Sequence, residues 1–106
     1  MAKRKEERVH EVFAWLLESF PLRRPCRLTI RKTDDEHQGW VLDGKDGVEI
    51  TLDCRLPRYV MLDCLLHEYA HVKSRRINHG LEFMRWDHKI IEAFWVWRAS
   101  REKGTR

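Results

Sequence analysis

The stretch LLHEYAHVKSRRINHGLEF, residues 65–83, restricts this chain more than any other part of it. It carries three of the six histidines, His67, His71 and His79. Its first half continues an apolar stripe of Leu62, Leu65, Leu66, Tyr69 and Val72 at three- and four-residue steps, a period that predicts a helix from about Arg58 to Arg75. On such a helix His67 and His71 lie ~40° apart in azimuth and one turn apart along the axis, so their imidazoles can converge on one ion. Glu68 sits on the flank of the same face, where its carboxylate can reach a water on that ion without occupying a ligand position. RINHG then breaks the helix, and a reversal there can carry His79 back over the first pair.

The rest of the chain supplies a scaffold. Residues 4–19 place Val9, Val12, Phe13, Leu16 and Phe20 on one face of an amphipathic helix that Pro21 ends. CRLTIRK alternates, with Cys26, Leu28 and Ile30 opposed to Arg27, Thr29 and Arg31, and reads as a strand. WVLD, the turn GKDG with glycines suited to positive φ, and VEITLDC, with Val48, Ile50, Leu52 and Cys54 inward, read as a hairpin. Leu56-Pro57 closes the sheet. A last helix is expected over about residues 80–98, with Phe83, Trp86, Ile90, Phe94 and Trp97 on its core face and Met84, Ile91 and Trp95 widening it. Residues 1–3 and 99–106 are expected to be flexible. The chain thus reads as a single α+β domain over residues 1–106: an N-terminal helix, a small three-stranded sheet, the helix bearing the histidine pair, and a C-terminal helix.

Composition narrows the setting. Hydrophobic residues make up 42% and charged ones 36% of the 106 residues. No apolar run approaches the ~18 residues of a membrane span. Glu6, Glu7, Glu11 and Glu18 interrupt the basic start, against the pattern of a signal peptide, so a cytoplasmic location is expected. Three cysteines with no CxxC pair suit reduced, mostly buried thiols. Charge is segmented: Lys and Arg stand 9 to 4 against Asp and Glu in residues 1–32, 1 to 7 in 33–54, and 11 to 6 in 55–106. Basic ends flank an acidic middle, as solvated helix faces around a charged hairpin, or as a weak contact with nucleic acid through those ends.

HEYAH followed by NHGLEF resembles the HExxH…HGxxF/W pattern of SprT-like (Spartan-type) zinc metalloproteases, over roughly residues 48–98. The resemblance implies a minimal zincin core in which His67, His71 and His79 bind one Zn2+ and Glu68 is the catalytic base. It also implies a protein or peptide substrate lying as an added strand along VEITLDC. Glu82, three residues after His79, is the other candidate for third ligand, as in zincins that use a glutamate. Tyr59 is a weaker candidate for stabilising an oxyanion, whereas Tyr69 reads as core. His10 and His37 read as solvent-facing, and His88, about 180° round a helix from His79, faces elsewhere. The reading is a zinc metallopeptidase. The alternative is a zinc-stabilised nucleic-acid- or protein-binding module without catalysis, which has no use for Glu68 and calls for a fourth protein ligand.

Overall fold

The structure, a computed structural model, describes residues 4–75 and 78–104. Its elements run α1 (Lys5–Ser19), β1 (Cys26–Arg31), β2 (Gly39–Gly44), β3 (Gly47–Asp53), α2 (Arg58–Ser74) and α3 (Leu81–Gly104), an α+β fold. α1 forms where the period requires it, with Val9, Val12, Phe13 and Leu16 all buried. At its end the buried Tyr69 hydroxyl donates to Phe20 O at 2.6 Å, with a longer contact of 3.3 Å to Leu16 O, which already accepts the Phe20 N–H at 2.8 Å. At the other end of α1, Lys5 Nζ donates to Cys54 O and Leu56 O, both at 2.8 Å, and clamps the approach to α2.

The sheet has the order β1-β3-β2. β2 and β3 are an antiparallel hairpin, and β1 runs parallel to β3 from Cys26 opposite Val48 to Arg31 opposite Asp53. The strand VEITLDC, expected to offer an open edge, is therefore the central strand, with its hydrogen-bonding groups engaged on both sides. The edge beside the histidine helix is β2. β3 is buried on both faces: Val48, Ile50 and Leu52 on one, Thr51 and Asp53 on the other.

The hairpin turn also departs from expectation. Lys45 and Asp46 form a two-residue loop with neither at positive φ, and Gly47 alone of the turn takes φ 140°. A Cβ on Gly47 would meet Pro25 O at 2.7 Å, and that same carbonyl accepts the Val48 N–H at 2.8 Å. Glycine is needed there because β1 starts so close by.

α2 lies between the sheet and α3, with α1 also packed on it. Covered from both sides, it buries Met61 and Ala70 as well as the expected Leu62, Leu65, Leu66 and Tyr69. It ends on Arg75, in the left-handed region at φ 58°, with its N–H bonded to His71 O at 2.9 Å.

α3 runs past Arg98, where the last helix was expected to end, as helix to Gly104, and Arg101 pairs with Glu11 of α1 at 2.5 Å while lying over the Trp97 ring. Met84, Ile91 and Trp95 are exposed rather than widening the core face, because α3 packs on the body of the protein through Phe83, Ile90 and Phe94 and, among the described residues, no layer covers its other side. Residues 1–3, 76–77 and 105–106 lie outside the described residues, and with them part of the reversal and of the expected flexible ends. The three cysteines are free and half-buried, less enclosed than expected, and burial pushes the Cys26 thiol up to about 11. Among the described residues no helix is long and apolar enough to cross a membrane.

Candidate metal centre

His67 and His71 project from one side of α2 one turn apart, and the chain returns after α2 to place His79 just ahead of α3. Nε2 of His79 lies 3.1 Å from Nε2 of His71 and 3.2 Å from Nε2 of His67. An ion held tetrahedrally by nitrogens at ~2.0–2.1 Å would separate them by ~3.3–3.4 Å. Convergence of three imidazole nitrogens at nearly that spacing is what a cation requires, and a neutral imidazole brings a lone pair to it. Among the described residues these three histidines form the group that could hold a metal ion. Glu82 lies outside it, exposed in the first turn of α3.

Phe83 fixes the cluster from below. Its ring is buried, and its centroid lies 5.0 Å from that of His67, 4.3 Å from His71 and 4.9 Å from His79. The sequence marked Phe83 as core; it is also the platform on which all three imidazoles rest. Burial, reinforced by the neighbouring His71 and His79, holds His67 below the usual histidine range, favouring the neutral form a metal binds, while Asp87 pulls the other way.

Glu68 opens into an adjoining cleft of ≈ 1010 Å³, which His67 and Asp63 also line. Burial raises the Glu68 carboxyl above its ordinary range, with the charge on His71 opposing. The far wall is the loop Asp34–Gln38, pinned by Arg55. That guanidinium donates to Asp53 Oδ2 at 2.7 Å, to Asp35 Oδ1 at 3.3 Å and to the carbonyls of Thr33 and Asp34, both at 3.3 Å. Asp34 in turn caps the loop, accepting from the backbone N–H of Glu36 and His37. Cys64 donates to Gln38 Oε1 at 3.4 Å across the cleft.

Sequence reasoning did not single out Asp63, Cys64 or Asp87. The first two stand four and three residues before His67, a spacing that could have placed them on its face. Of the other candidates, Tyr59 is exposed and lines a different pocket, Tyr69 is core, and His10, His37 and His88 are exposed.

No protein-family model and no curated protein matches the chain. Among solved structures, the crystal structure of the metallopeptidase zymogen of Pyrococcus abyssi abylysin is similar to it. The likeness has a TM-score of 0.62 and 26% sequence identity, and covers 76% of this chain and 77% of that one. This chain has a metallopeptidase-like fold, and three histidines in it are placed to hold a metal ion.

Proposed function

We propose that the protein is a zinc metallopeptidase of the SprT-like kind suggested by HEYAH and NHGLEF, with His67, His71 and His79 holding one Zn2+ and Glu68 serving as general base. The observation that carries the reading is the convergence of the three Nε2 atoms beside a cleft that Glu68 lines. Zinc, when bound, supplies a Lewis acid and lowers the proton affinity of water. The residues of the chain do the remaining work. Glu68, made more basic by burial, accepts a proton as water attacks the scissile carbonyl and returns it to the leaving amine. Phe83 keeps the imidazoles oriented. An extended peptide is received along β2, the edge strand whose first residue, Gly39, lines the cleft. Asp63 and Glu36, which also line it, favour substrates with Lys or Arg near the scissile bond.

Metal analysis and one variant test the reading together. The purified protein should carry about one equivalent of zinc and hydrolyse a peptide, and Glu68→Gln should keep the metal and the fold while losing hydrolysis by several orders of magnitude. Cleavage by Glu68→Gln at the parent rate would remove Glu68 as the base. Tight zinc with no hydrolysis by the parent would favour the binding module.

A further inference from the structure

The two basic ends of the chain meet in space. Arg8 from α1, Arg58 from α2, and Arg98 and Arg101 from α3 line one pocket of ≈ 200 Å³, floored by the apolar side chains of Leu62 and Phe94. No Asp or Glu is among the residues that line it. Glu11 stands nearby and pairs with Arg8 at 3.2 Å and with Arg101 at 2.5 Å. Arg58 donates to the Tyr59 hydroxyl at 3.2 Å, and hydrogen bonding and charge from Arg58, then Arg98, hold that phenol below its usual range. Pro57 makes no side-chain cap at the start of α2 and no acidic residue stands in its first turn, so the positive end of that helix adds to the same field.

Four guanidiniums from three helices are gathered around one apolar floor, two of them sharing Glu11, so a phosphate entering the hollow meets several of them at once. We propose that this pocket binds the phosphate of a small organic phosphate or diphosphate. Guanidinium forks match phosphate oxygens two at a time, and Arg58 and Arg98 approach from different helices, as a bridged anion requires. The volume is below the ~300–1,000 Å³ of pockets for drug-sized ligands, which suits a phosphate or diphosphate head with a small body stacked on Tyr59 rather than a nucleic-acid strand. The site is separate from the metal cleft and does not depend on peptidase activity.

Pyrophosphate and adenosine monophosphate are the probes, titrated into the full chain by calorimetry at constant ionic strength. Each should saturate at one site, and Arg58→Gln and Arg98→Gln should each weaken binding ~tenfold or more, the loss expected for a charge-assisted contact. Arg27→Gln, on the exposed side of β1, should bind as the parent does. In the parent, NMR signals of Tyr59 and the Trp97 indole should shift on titration while that of Trp40, on the sheet, stays still; this reading needs no variant to fold. Tighter binding of adenosine monophosphate than of pyrophosphate assigns the ligand an organic body, and the reverse order assigns the site to inorganic diphosphate. Absence of saturation, equal weakening by Arg27→Gln, or affinity only for single-stranded DNA that grows with its length would overturn the proposal.

Discussion

Two hollows flank the first half of α2, and they carry opposite charge. Asp63, His67 and Glu68 turn toward a cleft whose far wall is the acidic loop around Asp34–Glu36, while Arg58, Tyr59 and Leu62 turn toward the pocket of four arginines. The segmentation of charge along the chain is thus converted into two local fields on neighbouring sides of one helix. The acidic middle segment supplies one wall as a unit. The basic pocket is assembled from residues far apart in sequence. A charge run in a sequence therefore says which sign is available, and the packing of helices decides where it is concentrated.

The largest expected effect concerns the metal proposed for the histidine cluster beside the acidic cleft. His79→Ala should release most of the metal and lower the melting temperature, whereas Glu82→Ala should keep the metal and at most show the ~10- to 100-fold loss of an outer contact. A zinc titration of both variants decides between them, and emptying by Glu82→Ala alone would reassign the third ligand. A smaller effect tests the charge of the same cleft. Glu36→Gln combined with Asp63→Asn should lower kcat/KM roughly tenfold for a peptide with Lys beside the scissile bond and leave a neutral analogue nearly unchanged. Equal losses on both peptides would show that the acidic wall does not select substrates.

A third test concerns the clasp that holds that wall. Hydrogen bonds from Arg55 keep the Asp53 carboxyl well below the usual carboxylate range. A group depressed in the folded state stabilises it above its unfolded pKa of ~3.9, and this contribution is lost as pH falls from there toward the folded value. The melting temperature of the parent should therefore fall more steeply below about pH 4 than that of Asp53→Asn, and parallel curves would deny the clasp its role. The smallest effect lies in β3. Among the described residues, the buried Thr51 Oγ1 has no hydrogen-bond partner. Thr51→Val should stabilise the fold by about 1 kcal/mol, or ~4–8 °C in melting temperature, with both sites unaffected. A lower melting temperature would mean that the hydroxyl is satisfied.

Much of this arrangement was legible in the sequence where neighbours in space are neighbours along the chain. Val9, Val12, Phe13 and Leu16 announce α1, and the spacing of His67, His71 and His79 announces the cluster that the fold brings together. What was misread depends on distant partners. Nothing local says that β1 pairs with β3 instead of β2, so β3 reads as an edge. The period of α3 places Met84, Ile91 and Trp95 near its apolar side, but only the absence of a covering layer decides that they face solvent. The apolar pattern of α3 fades after Arg98, and it is Arg101 against Glu11 and Trp97 that carries the helix on. Arg8 and Arg98 have no sequence relation at all, and their pocket could not be anticipated.

The crossing of β1 behind Gly47 also sets an order of assembly. Gly44 meets Gly47 across a two-residue loop, whereas Arg27 meets Glu49 22 residues along. Hairpins close in ~1–10 μs, and longer closures cost more entropy before any contact rewards them. The β2–β3 hairpin should form first and present an unsatisfied β3 edge until β1 docks. Slowing that docking, as a substitution at Gly47 would by obstructing Pro25 O, should leave a transient species that self-associates through an edge the finished protein never exposes. Refolding yields of Gly47→Ala that do not fall with protein concentration would exclude this route.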